Sequence, residues 1–212
     1  MTIKDDQLPV PDDEWANTAT HAIGLVIAIA ATGFAIWTAI SAGPTQTIGC
    51  TIFGLSACIV FAASLLSHAV HQQPQRDFWR CVDQGTIYLM ISGTYTPLTL
   101  QFAPPTIATL LLFAMWTAAL TGFVSKLYFQ HRLNNVSTVS YLALGWLPAL
   151  VLGFYVPAAV GIGMLAGGIV YSIGVWFLIA SDRFYFAHAI WHILVICAAG
   201  IHYGTILRYV AS

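Results

Sequence analysis

The sequence predicts an all-α integral membrane protein of seven transmembrane helices, with the N-terminus cytoplasmic and the C-terminus outside. Three observations lead there. Charged residues make up 7% of the 212-residue chain, where soluble domains carry about 25%. Hydrophobic residues make up 58%, and mean hydropathy is +0.79. Charges are also missing from four long runs: Trp15 to Gln75, Gln84 to Ser125, Leu133 to Ser181, and Phe184 to Leu207. A helical span needs about 20 apolar residues. Runs of 61, 42, 49 and 24 residues therefore accommodate two, two, two and one spans.

Residues 1–13 form a short polar cytosolic lead-in, followed by one transmembrane domain over 14–212. The lead-in holds Asp5, Asp6, Asp12 and Asp13, with Glu14 next. That is the wrong sign for a signal peptide, and none is expected. Spans one and two are divided at Ser41-Ala42-Gly43-Pro44-Thr45, and three and four at Gln101-Phe102-Ala103-Pro104-Pro105. Gly153-Phe154-Tyr155-Val156-Pro157 divides five and six less clearly. Gly frees φ, while Pro fixes it and removes a donor, so such clusters punctuate helices. Charged connections follow spans two, four and six. An N-terminus inside puts Lys4, Arg76, Arg80, Lys126, Arg132 and Arg183 on the inner face and only Arg208 outside. This is the positive-inside pattern, and a bacterial inner membrane is the expected location. The net charge of −1 argues against nucleic acid as a partner. Cys50, Cys58, Cys81 and Cys197 show no metal-ligand spacing, and disulfides are not expected.

The polar residues inside the spans carry the chemistry. His68 falls at the inner end of span two and Asp83 at the inner start of span three. His188 and His192 lie in the first turns of span seven. Residues four apart on a helix share a face about 6 Å apart, which suits two imidazoles on one metal and places Ser64 one turn deeper than His68. Ionisable groups at the edge of hydrocarbon are costly and read as functional by default. Three histidine ligands with an open fourth position are the pattern of a catalytic zinc, whose water acquires a pKa near 7. Asp83 would act on that water as general base, or orient a histidine. Ser64 would hold the water or donate to an oxyanion. The structural alternative is that each histidine only bridges helices.

Glu14, Asn17 and His21 form a further stripe at the start of span one, expected to stand behind the ligands or to pack helices, with direct ligation as the alternative. Glu14 also suits a helix start electrostatically. His71 and His131 are expected in solvent. His202, about 15 Å beyond His192 along its helix, is expected to hydrogen-bond between helices. Pro97 in Gly93-Thr94-Tyr95-Thr96-Pro97 should free a carbonyl and bend its helix, with Thr94 and Thr96 able to re-satisfy it. Gly167-Gly168, with Tyr171 and Gly174, suits close helix packing. Trp15 and Trp79 sit where an interfacial aromatic belt belongs.

Six short motifs in order carry a resemblance that runs from about residue 14 to residue 205. They are Glu14-x-x-Asn17-x-x-Thr20-His21-x-x-Gly24, Ser64-x-x-x-His68, Asp83, Gly93-Thr94-Tyr95-Thr96-Pro97, Gly167-Gly168-x-x-Tyr171 and His188-x-x-x-His192. Together they resemble the hemolysin III family, which belongs with the progestin and adipoQ receptors and is more distantly similar to alkaline ceramidases. The resemblance implies seven membrane helices with a zinc near the cytoplasmic side. It also implies His68, His188 and His192 as ligands, Asp83 binding or orienting the zinc water, and Ser64 beside it. The residue before His68 is often aromatic in such relatives and is Ser67 here, which is expected to leave the site more open or better hydrated. The segment before Glu14 is short beside the extension of adiponectin receptors, so their ligand-recognition features are not expected here.

The function expected from this set is zinc-dependent hydrolysis of a ceramide-like amide or ester in membrane lipid homeostasis. Substrate would enter between helices from the inner leaflet while water arrives from the cytosol. The competing expectation is a non-enzymatic lipid or membrane-state sensor, or a pore-forming hemolysin, with zinc only fixing helices. No span carries a polar stripe from face to face, which argues against a pore.

Overall fold

The computed structural model describes residues 14–129, 135–181 and 183–211. The lead-in at residues 1–13, with His131, Arg132 and Asp182, lies outside the described residues. Seven helices follow one another: α1 Glu14–Ala42, α2 Pro44–Ala69, α3 Gln75–Phe102, α4 Pro105–Phe129, α5 Asn135–Leu152, α6 Ala158–Ile179 and α7 Ala187–Tyr209. The expected breaks fall where Gly and Pro stand. Gly43 alone separates α1 from α2, with φ at 127°, a conformation that excludes most side chains. Pro44 and Pro105 open α2 and α4, where a missing N–H costs no helical bond.

Five helices, α1, α2, α4, α6 and α7, are long and apolar enough to cross a membrane. α5 offers a shorter apolar segment, Ser137–Leu152. α3 differs because Arg76, Asp77, Arg80 and Asp83 occupy its first turns. The charges expected in the connection after span two thus begin the third helix.

The apolar pattern is that of a protein dissolved in lipid. Trp37, Phe113, Leu150 and Trp176 point outward, while small residues such as Ala35, Ala39, Ala119 and Ala198 are fully enclosed. Lipid tails give no hydrophobic drive between helices, so close backbone approach carries the packing instead. Gly49 shows this directly: a Cβ there would stand 2.8 Å from Pro97 Cα. α1 packs on α2 and α7, α6 on α7, and α3 on α2, α4, α5 and α7. The α1–α7 contact closes the ring and leaves α3 innermost. Pro97 is accommodated without ending α3. The threonines do not serve its freed carbonyl as expected: Thr94 bonds Met90 O and Thr96 bonds Ser92 O, each at 2.8 Å. Trp116 Nε1 donates to the Thr96 hydroxyl at 3.1 Å, tying α4 to α3 there.

Candidate metal centre

One end of the bundle gathers the start of α1, the end of α2, the start of α3 and the start of α7. The up-and-down course of the chain thereby delivers Glu14, Asn17, His21, Ser64, His68, Asp83, His188 and His192 to a single depth. Four imidazoles gather into one cluster. The His68 ring centroid lies 5.2 Å from that of His188 and 5.0 Å from that of His192. His188 and His192 are 4.5 Å apart. His21 stands 3.8 Å from His192 and 5.6 Å from His68.

Hydrogen bonding fixes which nitrogens remain for a ligand. Glu14 Oε2 sits 3.2 Å from His68 Nδ1, so Nδ1 carries the proton and Nε2 keeps its lone pair. That Nε2 is buried and has no hydrogen-bond partner. Thr20 Oγ1 lies 2.9 Å from both the Ala16 and Asn17 carbonyls. Its hydrogen is committed to them, so it accepts from His192 Nδ1 at 3.2 Å and leaves His192 Nε2 as a lone pair too. Both His21 ring nitrogens are buried without partners. Such orphaned imidazole nitrogens are costly unless something binds them, and neutral imidazole is a good ligand for zinc. Nitrogens of His21, His68 and His192 all lie within 4.8 Å of one another. The donor set fits a metal ion.

The supporting groups are as ordered as the imidazoles. Glu14 is only 5% exposed; it takes Asn17 Nδ2 at 2.9 Å on Oε2 and Arg76 at 3.1 Å on Oε1. From the α1 stripe, Glu14 touches His68 and Asn17 touches Glu14, while His21 itself joins the cluster. Asp83 accepts a hydrogen bond from Ser64 Oγ on one oxygen, and Ser67 Oγ lies 3.1 Å from the other. Ser64 spends its hydrogen on Asp83, so in this geometry it positions the carboxylate rather than serving an oxyanion. Ser67, expected to loosen the site, is 1% exposed; its hydroxyl is shared between the Ser64 carbonyl at 2.9 Å and Asp83 at 3.1 Å.

Sequence reasoning passed over Arg76, which looked like one more inner loop charge; it is 7% exposed and paired to Glu14. Its spacing before Asp83, two helical turns on α3, was the available signal. His71 is exposed, as expected. His202 does not bridge helices by hydrogen bonding: its Nδ1 has no partner, and its ring stacks on Tyr171 at 5.9 Å.

Comparison with known proteins bears on this arrangement. The family model described as Haemolysin-III related matches residues 11–203. The chain is 34% identical over 201 residues to the "Hemolysin-3 homolog" of Bacillus subtilis (strain 168), across 93% of this chain and 94% of the relative. It is 33% identical over 202 residues to "Hemolysin-3" of Bacillus cereus, across 93% and 92%. It is also 32% identical over 201 residues to the human "Monocyte to macrophage differentiation factor", across 92% and 83%. No solved structure is a significant match. With its long apolar helices and a family match over nearly its whole length, this chain is a multi-pass membrane protein that belongs to the hemolysin III family.

Proposed function

We propose that the protein is a zinc-dependent hydrolase of a lipid amide or ester, with His68, His188 and His192 holding the metal near the cytoplasmic side of a bacterial inner membrane. Two imidazoles on one tetrahedral zinc stand with ring centroids roughly 5 Å apart, given metal–nitrogen distances near 2 Å. The three pairs among His68, His188 and His192, at 5.2, 5.0 and 4.5 Å, cluster about that value. His21 supplies the compact nitrogen set with His68 and His192, but its ring is 3.8 Å from that of His192, too close for both to bind one tetrahedral ion. His188 lies outside that compact nitrogen set; it is placed on the metal ahead of His21 because its ring separations from His68 and His192 match two imidazoles on one ion. His21 on this reading packs beside the ligands.

The observation that carries hydrolysis over a mere metal clamp is Asp83. Its oxygens meet Ser64 Oγ and, at 3.1 Å, Ser67 Oγ, which fixes a carboxylate at the same end of the bundle as the histidines. A zinc held by His68, His188 and His192 would polarise a carbonyl and lower the pKa of water. Asp83 takes a proton from the attacking water and passes it to the departing amine or alcohol. Ser64 and Ser67 hold the carboxylate in register, while Glu14 and Arg76 hold the His68 ring.

A second reading is favoured by one observation: the compact nitrogen set draws on α1, α2 and α7 and does not include Asp83. Zinc would then tie three helix ends in a protein that senses the membrane rather than acting on it. Purified protein assayed for metal content and for release of fatty acid from lipid amides and esters, with and without chelator, separates the two. Chelator-sensitive hydrolysis by a one-zinc protein supports the hydrolase. Full zinc occupancy with no turnover on any lipid offered supports the clamp.

A further inference from the structure

His21 on α1 is 3% exposed, and among the described residues neither of its buried ring nitrogens has a hydrogen-bond partner. A neutral imidazole carries one N–H and one lone pair, so the ring leaves a donor and an acceptor unmet at once. Groups left this way in a packed interior call for something that meets them. Its neighbours on α1 are engaged with the site. Thr20, the preceding residue, bonds His192 Nδ1 at 3.2 Å. Asn17, one helical turn earlier on the same face, donates to Glu14 Oε2 at 2.9 Å. Its Oδ1 is buried and unmet as well.

Ring separations set His21 against His192. His21 lies 5.6 Å from His68, close to the roughly 5 Å of two imidazoles on one ion. From His192 it lies only 3.8 Å, so one of the two fits on an ion and the other does not. Yet one nitrogen each from His21, His68 and His192 falls within 4.8 Å of the others. The two rings reach for the same place beside His68. We propose that His21 and His192 are alternative ligands for a single position on the metal, with His68 and His188 common to both arrangements. As the chain stands, Thr20 seats His192 and His21 is set aside. When His192 turns away, His21 takes its place, donating its N–H to Asn17 Oδ1 and giving its other nitrogen to the ion. The exchange meets both His21 nitrogens and Asn17 Oδ1, the groups now without partners, and gives up one bond to Thr20. Consecutive residues of α1 thus carry the hydroxyl that seats one ligand and the ring that replaces it. The ion has three nitrogens before and after, so a ligand exchanges without loss of the metal. This alternation requires the metal centre proposed above but no hydrolysis.

The test uses the full chain in nanodiscs, stripped of metal and titrated with Co(II), whose visible bands report its coordination. Wild type and His21→Phe, which keeps a ring but not its nitrogens, should both saturate at one ion per chain with similar affinity. His192→Ala should bind more weakly yet still saturate in excess Co(II), because His21 takes over. Adding His21→Phe to His192→Ala should abolish that binding, since only two of the histidines remain. Asn17→Leu should weaken binding more in His192→Ala than in wild type, the coupling expected of residues that act together. Thr20→Val unseats His192 without truncating a ring, and it serves where His192→Ala does not fold. In that background His21→Phe should lower a Co(II) affinity that it leaves unchanged in wild type. Equal Co(II) binding by His192→Ala with and without His21→Phe would overturn the alternation, as would loss of all binding in folded His192→Ala alone. Indifference to His21→Phe in the Thr20→Val background would overturn it too. Equal weakening by Asn17→Leu in both backgrounds would overturn the role given to Asn17. A wild type that binds no Co(II) would overturn the metal centre and the alternation together.

Discussion

Glu14 Oε2 lies 3.2 Å from His68 Nδ1, while its other oxygen takes Arg76 at 3.1 Å. A carboxylate on the outer nitrogen fixes the tautomer and plane of the imidazole. Arg76 offsets the charge of a carboxylate that would otherwise be buried alone. The chain Arg76–Glu14–His68 links α3, α1 and α2 and sets the direction of one ligand.

The first prediction concerns that chain. Glu14→Gln keeps size but weakens the bond to His68 and leaves Arg76 without its partner. Loss of such an outer partner typically costs about 10–100-fold in metal affinity. Zinc competition against a chromophoric chelator should show a drop in that range, with His68→Ala dropping further. Unchanged affinity in Glu14→Gln would make the contact incidental.

The identity of the third ligand is separable by substitution. His188→Ala and His192→Ala should each lose most of the zinc, since either leaves two ligands of the proposed three. His21→Ala should keep most of it, and His202→Ala all of it. Metal content of the purified variants reads this directly. Zinc lost in His21→Ala and retained in His188→Ala would shift the site to the His21, His68 and His192 set.

Much of this arrangement was legible in the sequence, for physical reasons that differ by residue. Gly43, Pro44 and Pro105 mark helix ends through local backbone chemistry, so the breaks fall where composition put them. His68, Asp83 and the His188–His192 pair were visible because ionisable groups are rare in apolar runs. Arg76 and Ser67 were not. Arg76 sits among other charges, so nothing local distinguished a buried, paired arginine from a solvated one. Ser67 gains its role only when α2 and α3 come within 3.1 Å at Asp83, a tertiary fact. The same limit applied to His202 and Tyr171, whose missing partners emerge only after α6 and α7 pack. The threonines near Pro97 were expected to repair its carbonyl, yet each bonds the residue four before it, the commoner local choice for a helical hydroxyl.

Orientation rests on the distribution of Lys and Arg and has its own test. Reporters fused within residues 72–80 should be cytosolic, and a reporter at the C-terminus should be outside. A cytosolic C-terminus would require an even number of spans with the N-terminus inside. It would also separate the start of α7 from the cytosolic face to which the proposed function assigns the histidines.

Asp83 decides between hydrolase and clamp. Its carboxylate is gripped by Ser64 on one oxygen and approached by Ser67 at 3.1 Å on the other, an environment that orders it. Asp83→Asn preserves shape and keeps an acceptor for one serine, so zinc content and thermal midpoint should stay near wild type. What the amide lacks is a lone pair basic enough to take a proton from water. Loss of a positioned general base costs about 10²–10⁴ in rate. Hydrolysis of a ceramide-like amide or acyl ester should therefore fall by that factor at undiminished zinc. Ser67→Ala, which removes one support and leaves the base, should fall by much less. A wild-type rate from Asp83→Asn protein with its zinc in place would remove Asp83 from the chemistry and leave the metal as a tie between helices.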